Sequence, residues 1–352
     1  MRYETDDLRI RAIKQVIAPK DLHAEFPITD AAATTVYETR QAIQHILHGA
    51  DDRLLVVVGP CSVHDPAAAL EYAQYLRKVR DQLSDQLLIL MRVYFEKPRT
   101  TVGWKGLIND PNLDGSFEIN KGLGMARRLL VDLNDQGMPA GTEFLDLISP
   151  QYIADLVSWG AIGARTTESQ GHRELASGLS CPVGFKNATD GSIKVAIDAI
   201  HAAARPHVFM SLTKDGHSAI FTTTGNEDTH IILRGGSRPN YDTESVDIAA
   251  TAIQDSGLVP KIMIDFSHAN SRKQPDKQAR VAEDVAGQIA RGEARIYGAM
   301  IESNLVGGRQ NLTAGGELVY GQSITDACIA WEQTVPMLEQ LAEASERRRA
   351  RR

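Results

Sequence analysis

Eight short apolar runs of the sequence each end on a residue that could take part in chemistry. In chain order these residues are Cys61, Arg92, Glu143, Arg165, Lys186, Arg234, His268 and Glu302. Strand ends often become polar because they meet solvent, but that explanation does not account for the absence of Ser, Thr, Asn and Gln from the set. We therefore interpret the eight residues as parts of one site, in two chemical groups.

The first group is cationic. It comprises four residues at run ends and two that follow the second run closely: Arg92, Arg165, Lys186, Arg234, Lys97 and Arg99. Positive charges that converge on one cavity repel one another unless an anion normally occupies it. Guanidinium groups bind carboxylate and phosphate bidentately, whereas a lysine acts as a point charge. We expect the ligand to be a small phosphorylated acid, or two phosphorylated molecules together.

The second group could bind a metal ion. Cys61, His268 and Glu302 offer a thiolate, an imidazole and a carboxylate, and Asp326 could supply a second carboxylate. This mixture of soft and hard donors suits a divalent transition metal. The spacing is long and irregular, so the interpretation depends on the placement of these residues at strand ends. Nucleophilic catalysis by Cys61 with His268 stays open as an alternative, although it leaves the cations without a purpose.

A scaffold that brings strand ends together is indicated by the runs themselves. Helix-like stretches separate most of them, which favours a parallel sheet, and continuously apolar strands are typical of burial on both faces. The predicted strands are 54–58, 87–91, 139–142, 161–164, 182–185, 207–212, 230–233, 261–266 and 296–301. The predicted helices are 67–82, 119–136, 150–158, 192–204, 245–256 and 278–291.

Nine runs are one too many for an eightfold barrel. Residues 207–212 are followed by an Asp215-Gly216 turn and a second run at 218–223, which is typical of an antiparallel hairpin. We therefore predict an α/β fold, a (β/α)8 TIM barrel at 51–340 with a hairpin inserted near 207–223. Its active site is expected at the carboxyl ends of the strands. Residues 1–50 would form an N-terminal extension, and the arginine-rich end at 341–352 a solvated, frayed tail.

The composition narrows the possible partners. The 352 residues carry 38 Lys and Arg against 45 Asp and Glu, a net charge of −7, which disfavours a general nucleic-acid binder. No stretch approaches the length of an apolar membrane span. Three cysteines, at positions 61, 181 and 328, are too few for a disulfide framework. We expect a cytoplasmic protein with neither nucleic acid nor a membrane as its partner.

Six longer motifs carry more specific information. They are GPCS at 59–62, RVYFEKPRTT at 92–101, GARTTES at 163–169, GFKN at 184–187, IDFSHAN at 264–270 and SITDAC at 323–328. Together they resemble the motifs of 3-deoxy-D-arabino-heptulosonate 7-phosphate (DAHP) synthases, and most closely those of the type I alpha class. The resemblance covers nearly the whole chain. It implies a transferase that condenses phosphoenolpyruvate with erythrose 4-phosphate, the first committed step of the shikimate pathway.

The resemblance also implies a role for each matching residue. A manganese, iron or cobalt ion, with zinc as a further candidate, would be bound by Cys61, His268, Glu302 and Asp326. The catalytic residues would be Cys61, Lys97 and His268. Phosphoenolpyruvate would contact Arg92, Lys97, Glu143, Ala164, Arg165, Lys186 and Arg234. Erythrose 4-phosphate would contact Lys97, Pro98, Arg99 and Thr100.

Regulation follows from the resemblance in the same way. The alpha class binds an aromatic amino acid between neighbouring subunits, and the family suggests a homo-oligomer built as a dimer of dimers. The matching positions are Asp6, Asp7, Phe144, Leu147, Pro150, Gln151, Leu175, Leu179, Ser180, Phe209, Ser211 and Phe221. Residues 141–146, Ser180 and Ser211 favour phenylalanine as the effector, while Leu147 departs from the expected methionine. A subunit interface without a ligand is the alternative for this apolar set.

Other functions stay open at this point. The related 3-deoxy-D-manno-octulosonate 8-phosphate synthase would share the barrel and the phosphoenolpyruvate site, but residues 97–101 argue against it. A non-catalytic sensor of aromatic amino acids would have no use for the cations and metal donors. A Schiff-base aldolase acting through Lys186 would keep its activity when metals are chelated.

Overall fold

The barrel strands form as the apolar runs predict. The computed structural model describes residues 3–99, 103–312 and 316–351. Eight parallel strands close in the order β1-β10-β9-β8-β5-β4-β3-β2, which confirms the predicted (β/α)8 barrel. These strands are β1 (Leu54–Gly59), β2 (Leu87–Arg92), β3 (Ala140–Glu143), β4 (Trp159–Ile162), β5 (Val183–Lys186), β8 (Thr229–Leu233), β9 (Ile262–Asp265) and β10 (Ile296–Glu302).

Helices lie around the barrel and at its amino-terminal end, and those around it bury the outer faces of its strands. They are α1 (Pro19–Glu25), α2 (Asp30–Leu47), α3 (Pro66–Gln82), α4 (Ile119–Asp135), α5 (Pro150–Ile153), α6 (Gln170–Gly178), α7 (Lys194–Ala203), α8 (Thr243–Asp255), α9 (Lys277–Ala290) and α10 (Trp331–Arg349). The local sequence explains where α3 begins. The side chain of Asp65 accepts from the first backbone N–H groups of α3, and Pro66 occupies its first turn. Among the described residues, no helix is long and apolar enough to cross a bilayer.

The inserted hairpin lies outside the barrel. Its strands β6 (Val208–Leu212) and β7 (Ser218–Thr222) pair antiparallel, with Phe209 opposite Phe221. Gly216 has a φ of 82°, in the left-handed region that a tight turn requires and glycine readily adopts. The N-terminal extension holds the turn, because Lys20 donates its backbone N–H to Lys214 and pairs through its ammonium with Asp215 at 2.9 Å.

The amino-terminal end of the barrel is closed by α2. Its Ile43 and Leu47 belong to the same buried cluster as Trp159 and Tyr297, whose side chains lie inside the barrel. Gln44 donates to the carboxylate of Asp228 at 2.6 Å, just before β8. The other end of the barrel is therefore the one where ligands can enter. Two further short strands, β11 (Val306–Arg309) and β12 (Gln322–Ser323), pair beside that end.

The prediction of a solvated, frayed tail at 341–352 is wrong for most of that segment. Residues up to Arg349 continue α10, and Arg348 is 4% exposed. Its guanidinium donates to the backbone oxygens of Ile296 at 2.8 Å and Asp52 at 3.0 Å. Carbonyls at the closed end of the barrel need donors, and the arginine supplies them. Arg347, Arg348 and Arg349 thus belong to a helix of the folded body.

Other boundaries also shift from the prediction, notably at β4 and in the helix expected at 150–158. Strand β4 ends at Ile162, so Ala164 and Arg165 lie in a turn where the N–H of Thr166 and Thr167 both donate to the Gly163 oxygen. The helix expected at 150–158 is one turn of α-helix followed by a 3₁₀ turn at Ala154–Leu156. Both segments are short, so their local patterns defined their ends poorly.

Candidate active site

A polar cavity of about 300 Å³ opens at the carboxyl end of the barrel. It is lined by most of the residues singled out in the sequence, namely Lys97, Pro98, Arg99, Glu143, Ala164, Arg165, Lys186, Arg234, His268 and Asp326. Cys61 and Glu302 are buried beneath them. Thr100 lies outside the described residues. The strand-end residues therefore converge on one place, as a shared site requires.

The predicted metal donors come together at this cavity. Ligand atoms of Cys61, Glu302 and Asp326 all lie within 4.8 Å of one another. His268 approaches the same group, since its Nε2 lies 3.9 Å from Oε1 of Glu302. Metal–ligand bonds of about 2.0–2.3 Å let one ion bridge donors at such separations. The donor set, with its thiol, imidazole and two carboxylates, therefore fits a divalent transition metal.

Pairing between β1 and β10 brings the first two donors together. Gly59 lies opposite Glu302, and Cys61 follows two residues later. A side chain at Gly59 would place its Cβ 2.7 Å from the backbone oxygen of Arg92, so only glycine allows β1 and β2 to approach this closely. Burial, and then the charge of Glu302, raise the pKa of the Cys61 thiol. A bound cation would favour the thiolate instead.

Lys97 and Asp326 complete the surroundings of the floor. The Nζ of Lys97 donates to Sγ of Cys61 at 3.1 Å and to its backbone oxygen at 3.2 Å. Burial by itself would raise the pKa of Asp326, but Lys97, His268 and Lys273 together hold it below its ordinary value. The carboxylate is thus ionised and ready to bind a cation.

Arg92 occupies a different place from the other cations. Its guanidinium is fully buried beneath the cavity, donates to Glu302 at 2.9 Å and to the Pro60 oxygen at 3.1 Å, and stacks 3.5 Å from the centre of the Tyr94 ring. In this arrangement Arg92 supports a metal donor. Its predicted contact with phosphoenolpyruvate stays a prediction.

The remaining cations line the cavity wall. Arg165, Lys186 and Arg234 face it together with Lys97 and Arg99. Burial, and after it the charge of Arg165, lower the pKa of Arg234. Guanidinium groups that disfavour one another's charge are stabilised when an anion binds between them. The wall is therefore suited to a multiply charged ligand.

Glu143 adds one carboxylate among these cations. It ends β3 and is buried beside Gly163, where an added Cβ would lie 2.4 Å from Oε1 of Glu143. Glycine at position 163 thus leaves room for the carboxylate at the wall. The geometry agrees with the predicted place of Glu143 near the phosphoenolpyruvate site, but does not test its role.

Several residues of the site were missed in the sequence, and three of them contact or adjoin the predicted site residues. Asp265 ends β9, is fully buried and lies 3.2 Å from the Nζ of Lys186. Ser267 hydrogen-bonds His268, and Lys273 lines the cavity mouth. A signal existed for Asp265, since a carboxylate inside the apolar run 261–266 is costly to bury without a partner. Ser267 and Lys273 carry no such signal.

None of the predicted regulatory residues lines the cavity, and most of them lie in three segments of the chain. Phe144 is buried against Gly160, while Leu147 contacts the Gly171 position on α6. Phe209 and Phe221 stack on one face of the hairpin at 6.2 Å between ring centres. The other predicted positions lie in the same segments: Pro150 and Gln151 follow Leu147, Leu175, Leu179 and Ser180 lie in or just after α6, and Ser211 lies in the hairpin. Asp6 and Asp7 are exposed in the N-terminal extension.

Comparisons with known proteins identify the family of the chain. The sequence model of the DAHP synthetase I family matches residues 25–339. The chain is 63% identical to the Phe-sensitive phospho-2-dehydro-3-deoxyheptonate aldolase of Escherichia coli K12, over 99% of this chain and 100% of that protein. It is 59% identical to a phospho-2-dehydro-3-deoxyheptonate aldolase of Haemophilus influenzae, over 96% of this chain and 94% of the relative.

A second form and a solved structure extend the comparison. The Trp-sensitive enzyme of Enterobacter agglomerans is 54% identical over 97% of this chain and 98% of its own length. The structure of the phospho-2-dehydro-3-deoxyheptonate aldolase of Francisella tularensis SCHU S4 superposes with a TM-score of 0.94 at 54% identity, covering 96% of this chain and 99% of that one. By sequence and by fold, the chain belongs to the DAHP synthetase I family.

Proposed function

We propose that this enzyme carries out the DAHP synthase reaction at the mouth of its barrel, on a divalent metal ion bound by Cys61, His268, Glu302 and Asp326. One observation carries the proposal: ligand atoms of Cys61, Glu302 and Asp326 converge within 4.8 Å of one another, with His268 beside them, in the cavity that the cations line. An enzyme that joins two phosphorylated substrates needs both features in one cavity. The names of the relatives support the reaction and do not favour the octulosonate synthase or the sensor.

The cations would bind and orient the anionic groups of the substrates. Arg165, Lys186 and Arg234 face the cavity, where they could hold the phosphate and carboxylate of phosphoenolpyruvate. Pro98 and Arg99 line its outer part, where the phosphate of erythrose 4-phosphate would lie, with Thr100 beyond the described residues. Holding both substrates in reacting geometry converts a bimolecular step into a unimolecular one.

The chemistry then requires an activated aldehyde and a proton. A bound divalent ion supplies Lewis acidity toward the aldehyde carbonyl. The ammonium of Lys97, 3.1 Å from Sγ of Cys61, is placed to hold a proton beside the aldehyde oxygen while C3 of the enol attacks. A water molecule adds to C2, and the resulting hemiketal phosphate releases inorganic phosphate. Arg165, Lys186 and Arg234 would stabilise the phosphate as it leaves.

The identity of the metal is a separate part of the proposal. One thiol with an imidazole and two carboxylates suits manganese, iron or cobalt, with zinc as a further candidate. A chelator should abolish condensation, and each metal should be added back singly to the stripped enzyme. Activity that survives chelation and is trapped by borohydride would instead indicate a Schiff base on Lys186. Replacing erythrose 4-phosphate by arabinose 5-phosphate tests the octulosonate alternative.

We further propose feedback inhibition by an aromatic amino acid, with phenylalanine as the strongest inhibitor. The stacked Phe209 and Phe221 and the buried Phe144 offer aromatic surfaces that could pack against such a side chain. Relatives named Phe-sensitive and Trp-sensitive support this kind of regulation. Dose series with phenylalanine, tyrosine and tryptophan test the order of inhibition.

A homo-oligomer, organised as a dimer of dimers, completes the proposal. The outer face of the hairpin exposes Val208, Met210 and Ile220, and an isolated two-stranded hairpin is marginal in water. A neighbouring subunit would cover these side chains. Light scattering of the purified enzyme measures its oligomeric state directly. Free, buried cysteines agree with the cytoplasmic location that we propose.

A further inference from the structure

The imidazole of His268 has a polar neighbour at each nitrogen. Its Nε2 faces the metal donors, 3.9 Å from Oε1 of Glu302. Its Nδ1 lies 2.7 Å from Oγ of Ser267 and 2.8 Å from Oδ2 of Asp265. The side of the ring that faces away from the cavity therefore contacts two oxygens. These oxygens determine which nitrogen carries the ring proton.

Asp265 is held as a hydrogen-bond acceptor. Its carboxylate is fully buried, and the ammonium of Lys186 lies 3.2 Å from its Oδ2. Its Oδ1 accepts from the hydroxyl of Ser267 at 2.8 Å and from the backbone N–H of Ser267 at 3.0 Å. An ionised carboxylate can only accept, so the single proton of the Ser267 hydroxyl points toward Asp265.

The tautomer of His268 follows from this arrangement. With its proton directed at Asp265, the Ser267 hydroxyl presents a lone pair to Nδ1. Both neighbours of Nδ1 are then acceptors, which favours the ring proton on Nδ1 and leaves the lone pair on Nε2. A metal-binding histidine needs that tautomer, and it usually donates its other N–H to an oxygen acceptor.

The backbone conformation of His268 is a further reason why this residue needs to be held by its neighbours. His268 has a φ of 56°, in the left-handed region that residues with a side chain rarely adopt. The turn formed by Asp265 and the backbone N–H of Ser267 precedes it directly. We propose that Asp265 and Ser267 are positioning residues of the metal site, which fix His268 in its Nδ1-protonated form and aim Nε2 at the bound ion. This inference rests on the proposed metal site.

The test measures metal affinity without turnover. Enzyme stripped by a chelator is titrated with Mn²⁺ alone by calorimetry, in the wild type and in Ser267→Ala, Asp265→Asn and Ser267→Thr. Loss of such a support typically weakens metal binding about 10- to 100-fold, and we expect that loss in Ser267→Ala and Asp265→Asn. Ser267→Thr keeps the hydroxyl and should recover most of the affinity. Ser345→Ala, a buried serine on α10, is the matched control and should bind Mn²⁺ like the wild type.

Two further measurements separate positioning from a general loss of structure. Stripped Ser267→Ala should bind phosphoenolpyruvate like the wild type, because the wall of cations is left in place. Its complex with Co²⁺ should show an altered visible spectrum, since the imidazole would be a poorer ligand. Wild-type Mn²⁺ affinity in both Ser267→Ala and Asp265→Asn would overturn the inference. So would parallel losses of Mn²⁺ and phosphoenolpyruvate binding with a lowered melting temperature.

One more variant distinguishes this inference from the site on which it rests. His268→Ala removes the imidazole itself and should weaken Mn²⁺ binding at least as much as Ser267→Ala. If His268→Ala binds Mn²⁺ like the wild type, the proposed metal site is wrong. If only His268→Ala loses affinity, the metal site stands and the positioning role of Ser267 and Asp265 is wrong.

Discussion

The Nζ of Lys97 lies 3.1 Å from Sγ of Cys61, and both side chains are buried at the floor of the barrel mouth. The pair joins the two chemical groups of the site, because Cys61 is a proposed metal donor and Lys97 is one of the cations. A lysine at this distance can stabilise a thiolate and can also present a proton to a substrate oxygen. We therefore propose that the reaction takes place where the candidate metal donors meet the cationic wall.

Replacing Cys61 tests the metal donor set. Cys61→Ala should lower turnover by at least about two orders of magnitude, since losing even a supporting residue of a metal site costs 10- to 100-fold. The fold should survive, because the change removes one small buried side chain. Steady-state assays with excess Mn²⁺, beside circular dichroism, measure both effects. Cys181→Ala, at another buried cysteine, should keep wild-type turnover. Full activity in Cys61→Ala would contradict the assignment.

Glu96 should make stability depend on pH. Burial, and then the nearby Asp146, raise its pKa from 4.5 to about 7, while the hydroxyl of Ser149 donates to it at 3.0 Å. The folded protein thus holds this proton more tightly than the unfolded chain. The resulting stabilisation is fully present below about pH 4.5 and is lost as the pH rises through 7.

The variant Glu96→Gln isolates this effect, since the amide can still accept from Ser149 but cannot ionise. It should match the wild type near pH 5 and be more stable at pH 8.5, by about 3 kcal/mol at most. Melting temperatures at the two pH values measure the difference. Glu339→Gln, at an exposed position of α10, should show no such pH dependence. The same melting temperature for Glu96→Gln and wild type at pH 8.5 would show that the pKa of Glu96 is not raised in the folded protein.

Inhibition should depend on the inward face of the hairpin. Phenylalanine should inhibit more strongly than tyrosine or tryptophan, and Phe209→Ala should raise the half-inhibitory concentration about tenfold or more, as expected for loss of a buried aromatic contact. Uninhibited turnover should stay near the wild-type value. Ser218→Ala, on the same hairpin, is the control and should keep the wild-type dose response. Stronger inhibition by tyrosine would reverse the choice of effector.

The carboxyl-terminal helix should contribute to stability through one arginine. Arg348→Ala removes the buried guanidinium that donates to the backbone oxygens of Ile296 and Asp52, at a cost of about 2–4 kcal/mol. Arg347→Ala removes only an exposed pair with Glu343 and should cost about 0.5 kcal/mol or less. Thermal unfolding of the two variants compares neighbouring arginines directly. Equal effects would mean that the end of the chain behaves as the solvated tail first expected.

Much of the barrel could be predicted from the sequence because its strands are buried on both faces. Such strands appear as apolar runs, and the polar residue after each run marks the end that faces the active site. The hairpin could be distinguished from the barrel strands because Asp215-Gly216 is a recognisable turn sequence. The converging strand ends then followed from the topology of the fold.

The direction of each side chain could not be predicted in the same way. A continuously apolar strand has no alternation that tells inside from outside, so Arg92 and Arg234 looked equivalent. In the structure Arg92 points beneath the cavity to Glu302, while Arg234 faces the cavity itself. Arg348 illustrates the same limit, since composition cannot show which arginine of a run meets buried carbonyls.

Anomalous diffraction from a crystal loaded with Mn²⁺ tests the central claim most directly. We predict one strong anomalous peak at the floor of the barrel mouth, within bonding distance of Sγ of Cys61, Nε2 of His268 and the carboxylates of Glu302 and Asp326. A peak elsewhere, or a mouth without bound Mn²⁺ in a crystal of enzyme shown to be active with that ion, would contradict it.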